Sequence, residues 1–298
     1  MVLPFFLALV MTFTPGFGAL TGLQVPMENQ KAAAEGNFDP FLRGSLESRP
    51  VTSLPWDSDP EFLAAKEKSG CPLLMAAYMT VLRDPLPGEE SNVPTAARYV
   101  AGTVLRPGEV FSQNAVAGPY TEDRGYRIGP TYVGTSYIET IGGGVCKIAS
   151  TLYNVAVLSD FAIVERHNHG MPVPYVPYGQ DATVAYGAKD IRFQNNSGAP
   201  VLLWAQGIGN ILYIAAYGSV TPPKIVWHHD VIEVIEAPVL RKKNTALPPG
   251  TEKMTHEGMA GATVRSWITL FYPDGGSKLR EMSPSFYSPL AYVIEYNP

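Results

Sequence analysis

The period of apolar and polar positions changes several times along this chain, and it is clearest over residues 137–160, YIETIGGGVCKIASTLYNVAVLSD. Apolar or small residues recur there at Val145, Ile148, Ala149, Leu152, Val155, Ala156 and Ser159, the three-and-four spacing of a helix packing one side onto a core. Upstream, Ala96, Ala97, Val100, Ala101 and Val104 predict another helix within residues 93–105. PEFLAAKEK, residues 60–68, predicts a short one with Pro60 in its first turn and a stop at Gly70. The apolar run CPLLMAAYMTVL, opening at Cys71, reads as a core element. Residues 124–140 predict a hairpin turning at Gly134-Thr135. After the central helix the period falls to two over residues 161–166, 181–188, 190–195, 201–206 and 211–217. The prolines of MPVPYVPYG keep residues 171–179 extended, and further alternating segments follow residue 220.

These elements predict an α+β fold: a mixed sheet packed on a central helix that starts at the cysteine, followed by a small β-rich C-terminal part. The expected division is a signal peptide or N-terminal anchor over residues 1–22, a linker and N-terminal arm over 23–91, the main domain over 92–218 and a β-rich region over 219–298. Residues 2–13, VLPFFLALVMTF, have the length of a secretory apolar region, and small and turn-forming residues follow them. This predicts an exported protein of the cell envelope, secreted or anchored to the membrane through the N-terminus.

Composition narrows the function. The chain has 298 residues, 46% hydrophobic and 16% charged, with 28 Gly and 27 Pro, a globular make-up rich in turns. A net charge of −5 and the lack of any long basic run argue against nucleic acid as a partner.

The candidate chemistry gathers at Cys146, which follows Gly142, Gly143 and Gly144 at the head of the predicted helix. A free cysteine has a pKa of about 8.5, and the nucleophile is the thiolate. The unpaired N–H groups and positive dipole end of a helix start favour that anion. The glycines let a substrate carbonyl approach the sulfur, so Gly143, Gly144 and the N–H of Cys146 are candidate oxyanion donors. Ser150 and Tyr153 share a side of the helix with Cys146 and are candidate substrate contacts. His167 and His169 follow the next strand and are the candidate bases, with Asp181, ahead of Asn168, as the group that orients the ring. The plain alternative is a buried, inert Cys146 or a disulfide with Cys71, the only other cysteine. Zinc held by Cys146, His167 and His169 is compatible by residue type, but the spacing fits no familiar zinc pattern. No metal or cofactor is therefore expected.

The run PGEVFSQN, then RGY, IGGGVCKIASTLYN, IVERHNHGMPVPYVPYGQDATVAYG and DIRFQN resembles the VanW family over about residues 106–206. The resemblance implies an exported or membrane-anchored bacterial envelope protein linked to glycopeptide resistance. It also implies cysteine-dependent L,D-transpeptidation of peptidoglycan stem peptides, with Cys146 as nucleophile and His169 or His167 as base. Lys147 stands where the family pattern has glutamine. Two other functions fit the same residues: a non-catalytic wall-binding or scaffold module, and a cysteine peptidase or amidase of the wall.

Overall fold

The computed structural model describes residues 47–298 except 83, 84, 86, 134 and 135. The expected leader at residues 1–22 and residues 23–46 of the expected arm lie outside the described residues.

Strand β1 (Arg49–Pro50) leads to helix α1 (Pro60–Ser69). Asp59 caps α1 by accepting the N–H groups of Glu61 and Phe62, and Gly70, at φ 66°, closes it in the left-handed conformation. Strand β2 (Leu73–Val81), helix α2 (Glu89–Val100), strands β3 (Thr103–Leu105) and β4 (Val110–Ser112) and the short helix α3 (Gln113–Val116) follow. The hairpin β5 (Ile128–Val133) and β6 (Ser136–Ile141) then delivers the chain to helix α4 (Cys146–Leu158). Strands β7 (Ala162–Glu165), β8 (Arg192–Gln194), β9 (Val201–Ile208) and β10 (Ile211–Gly218) complete this half. The C-terminal region consists of strands β11 (Lys224–Ile235), β12 (Val239–Lys243), β13 (Thr251–His256), β14 (Gly261–Phe271), β15 (Ser277–Glu281), β16 (Ser285–Tyr287) and β17 (Tyr292–Asn297).

This corrects the expected fold class. The protein is mostly β, built from several separate sheets, and not an α+β fold with one mixed sheet on a central helix. The largest sheet has the order β1-β2-β10-β9-β3 and is antiparallel throughout. A three-stranded sheet β4-β8-β7 and the β5-β6 hairpin stand apart from it. The C-terminal strands form β11-β14-β15, with β16 also on β14, and β12-β17-β13, where β12 and β17 run parallel.

Two physical causes divide the strands. Tight connections such as Gly209-Asn210, with Gly209 at φ 54°, join antiparallel neighbours without the long crossover that a parallel pair needs. Helix α4, moreover, is buried continuously from Lys147 to Val157, so other parts of the chain surround it and no single sheet serves as its platform. Ile148, Ala149, Leu152, Val155 and Ala156 share one core with Ala96, Ala97 and Val100 of α2 and with Leu212, Ile214 and Ala216 of β10. A second cluster holds Trp56, Phe62, Cys71, Trp204 and Tyr217 against the other face of the large sheet.

Candidate active site around Cys146

The turn before α4 is set by close backbone approach. A Cβ on Gly143 would lie 2.1 Å from the carbonyl carbon of Gly129 in β5, and Gly142 and Gly144 have φ values of 83° and 94°. Asn92 of α2 locks this crossing. Its side-chain amide donates to the carbonyl oxygens of Arg127 and Gly143 at 2.9 and 2.8 Å and accepts the Arg127 N–H at 2.7 Å. Cys146 is thereby fixed as the first residue of α4, where no side chain caps the helix.

Cys146 Sγ lies 3.2 Å from Thr183 Oγ1, and the Val184 N–H points at it from 3.5 Å. The His169 ring lies near enough for its charge and polarity to act on the thiol. Behind His169 stands Asp181: its Oδ2 takes both the ring Nδ1 and the main-chain N–H of His169 at 2.7 Å. Tyr175 Oη is 3.4 Å from His169 Nε2. Asp181 and His169 are thus joined by hydrogen bonds, and His169 is electrostatically coupled to Cys146.

The electrostatics follow from that arrangement. Burial pushes the Cys146 thiol up, but the polarity and charge of His169, with donors from Thr183 and Val184, leave its pKa below the ordinary value. Burial pulls His169 down, yet Asp181 and Cys146 together raise it to about 9. Asp181 is pushed up by burial and brought below the ordinary carboxylate value by His169 and Arg166. All three shifts run in the direction of a thiolate beside an imidazolium backed by a carboxylate.

The other candidates are placed differently. His167 Nε2 pairs with Glu165 Oε1 at 3.0 Å on a partly exposed edge, while its carbonyl takes the Thr183 N–H. The Gly143 N–H donates to Thr140 O at 3.2 Å, so it is already engaged. Ser150 Oγ accepts the Ala182 N–H at 2.9 Å and donates to Ala182 O at 3.0 Å, fastening the 181–184 segment to α4. Tyr153 is buried edge-on against Trp227, with the Arg166 guanidinium over its ring. Both cysteines are free thiols, and Cys71 is fully buried. Among the described residues no group of three or more His, Cys, Asp or Glu side chains could hold a metal ion, and none of their helices is long and apolar enough to cross a membrane.

Sequence reasoning missed Thr183, Val184, Tyr175, Arg166 and Tyr287. The alternation in ATVAYG concealed the first two, which look like strand positions. Arg166 carried a faint signal, as a cation directly before the histidine motif. Nothing local marks Tyr287.

Comparison with known proteins agrees with the motif pattern. Residues 88–217 match the family model described as VanW like protein. A Bacillus subtilis (strain 168) protein named "Uncharacterized protein YoaR" is 37% identical over 145 residues, 49% of this chain and 48% of that protein. The "Vancomycin B-type resistance protein VanW" of Enterococcus faecalis (strain ATCC 700802 / V583) is 27% identical over 118 residues, 38% of this chain and 43% of that protein. The matched stretches thus span about half the length of these relatives. Two solved structures, "IgA1 Protease G5 domain structure" and "Crystal structure of HP0197-G5", align over 27% and 24% of this chain and 98% and 97% of theirs. Their identities are 21% and 16% and their TM-scores 0.18 and 0.15, too low to carry an argument.

Proposed function

Since residues 88–217 belong to the VanW family, we propose that this chain is a cell-envelope protein whose Cys146 performs acyl transfer on peptidoglycan stem peptides, in the manner of an L,D-transpeptidase. The observation that carries this reading is the hydrogen-bonded His169–Asp181 pair coupled to Cys146 at the head of α4. The thiolate attacks an amide carbonyl of the donor stem, and the N–H groups of Gly144 and Cys146 hold the oxyanion. As the C–N bond breaks, the His169 imidazolium gives its proton to the leaving amine, and a thioester remains. The amine of a second stem then attacks the thioester. His169 takes the proton of that amine, the C–S bond breaks, and the thiolate–imidazolium pair returns. With water as acceptor the same steps make a peptidase or amidase; cross-linked dimers and trimmed stems distinguish the two.

A second reading, a non-catalytic wall-binding or scaffold module, is favoured by the packing and hydrogen bonds that engage Gly143, Ser150 and Tyr153. The names of the matched relatives describe no transferase, which suits this reading. Intact-mass analysis of the reduced protein with muropeptides separates the two. Acyl transfer predicts a thioester adduct that Cys146→Ala abolishes and His169→Ala strongly slows, whereas cross-linking retained by Cys146→Ala would sink it.

A further inference from the structure

The Asp181 carboxylate receives four donors. Oδ2 takes the two from His169, and Oδ1 takes Arg166 Nη2 at 3.0 Å and Tyr287 Oη at 2.6 Å. Four donors occupy the roughly four lone-pair directions of a carboxylate, so the group has no freedom to turn. Tyr287 cannot serve as a passive neighbour. Its oxygen already accepts the Gly179 N–H at 2.8 Å, so its own proton is directed to Asp181. Both Asp181 and Tyr287 are buried, where a fixed hydrogen bond is electrostatically strong.

Tyr287 belongs to β16, beyond the segment that matches the family. Its strand does more than supply one hydroxyl. Alternation along β16 turns Ser285 and Tyr287 inward and Phe286 outward. Ser285 Oγ accepts Arg166 Nη1 at 3.0 Å, which aims the guanidinium whose Nη2 meets Asp181. The main chain of the same strand holds the histidine loop on both sides of His169. Asn168 Nδ2 donates to Phe286 O at 2.8 Å, and the Ser288 N–H donates to Gly170 O at 2.7 Å.

We propose that Tyr287 is a positioning residue for the Cys146 site: its hydroxyl fixes Asp181 so that the opposite carboxylate oxygen stays on His169, and the C-terminal β region thereby completes the site. This inference rests on the thiolate reading above. The charged and titratable groups facing Asp181 and His169 are Arg166, Cys146, Tyr153, Tyr175 and Tyr287. Without the Tyr287 hydroxyl, Oδ1 keeps only Arg166 and the carboxylate is held less firmly. His169 then loses its anchor part of the time, and the thiolate loses its counter-ion.

The test is the pH profile of Cys146 alkylation by iodoacetamide in the full, reduced chain carrying Cys71→Ser. Tyr287→Phe removes only the hydroxyl. It is expected to slow alkylation at acidic pH about tenfold and to move the midpoint upward by about one pH unit, a change that loss of packing alone would not produce. A midpoint unchanged or lowered in Tyr287→Phe overturns the proposal, because a mere attenuator of the Asp181 charge would lower it. His169→Ala on the same background separates the two levels. If the parent midpoint is low and His169→Ala raises it while Tyr287→Phe does not, only the positioning role falls. If the parent midpoint is ordinary and His169→Ala leaves it there, the thiolate reading and this inference fall together. Should Tyr287→Phe not fold, Ser285→Ala decides. About threefold slower alkylation with a raised midpoint is expected, and a profile superimposing on the parent's overturns the proposal.

Discussion

Lys147, the residue after the cysteine, offers the most quantitative test of how this helix is seated. Its side chain is buried, with Nζ donating to Asn210 O at 3.1 Å and the Glu89 charge as its main electrostatic support. Burial outweighs that support and lowers its pKa from 10.5 to about 8. Such a drop corresponds to a cost of about 3 kcal/mol for carrying the charge in the folded state. The sign follows from proton counting. Between about 8 and 10.5 the unfolded chain binds a proton at Lys147 that the folded chain lacks, so stability rises with pH across that window. Below the window both states are protonated and the fold bears the full cost. Lys147→Met keeps most of the volume and removes the charge, but leaves Asn210 O without this donor, a loss of about 1 kcal/mol. A net gain of about 2 kcal/mol at neutral pH is therefore expected. It should shrink through the window and turn into a loss of about 1 kcal/mol above 10.5, where Lys147 is neutral in both states and only the lost hydrogen bond remains. Urea denaturation of parent and variant across that range measures it. A variant that is less stable at neutral pH, or whose advantage does not change with pH, would refute the assigned burial cost.

Two further substitutions test the scaffold that presents the sulfur. Gly143→Ala would set a Cβ 2.1 and 2.2 Å from the carbonyl carbon and oxygen of Gly129. Main chain on both sides leaves no flexible group to yield, so a loss above about 4 kcal/mol is expected; a thermal melt near the parent's would contradict it. Ser150→Ala strips the partner from both the N–H and the carbonyl of Ala182. A loss of about 2 to 4 kcal/mol is expected, together with faster hydrogen exchange at the Ala182 amide, and unchanged protection there would show that the segment is held by other means.

The central helix was legible because its period and its burial agree: a helix predicted from spacing around residues 145–159 is observed as Cys146–Leu158. The β5-β6 hairpin was legible from its alternation, with Ile128–Val133 and Ser136–Ile141 in antiparallel register. Alternation misled over residues 181–188, where the chain forms only an isolated bridge at Ala185 and Lys189. The backbone there bonds to Ser150, to His167 and to the sulfur of Cys146, and a strand ladder would have consumed those groups. Sheet membership was illegible too, since a period of two says that a strand is half-buried but not which partner covers it. His167 and His169 are equivalent by spacing. Only the folded loop, with Glu165 on one ring and Asp181 on the other, tells them apart.

The two cysteines show why burial alone does not decide what a thiol can do. Both are free thiols, and Cys71 is the more deeply enclosed. Its sulfur meets the carbonyl oxygens of Ser69 and Pro200 at 3.5 and 3.3 Å, and oxygens of that kind can only accept, so both contacts use the thiol hydrogen. Cys146 also meets a carbonyl oxygen, that of Val184 at 3.6 Å, but the Val184 N–H, the Thr183 hydroxyl and the His169 ring can all donate to it. Donors stabilise an anion, and His169 adds a positive charge that Asp181 sustains. On the proposed reading, what sets Cys146 apart from Cys71 is the set of donors that its surroundings add. For Cys146 that supply runs back through His169 and Asp181 to Arg166 and Tyr287.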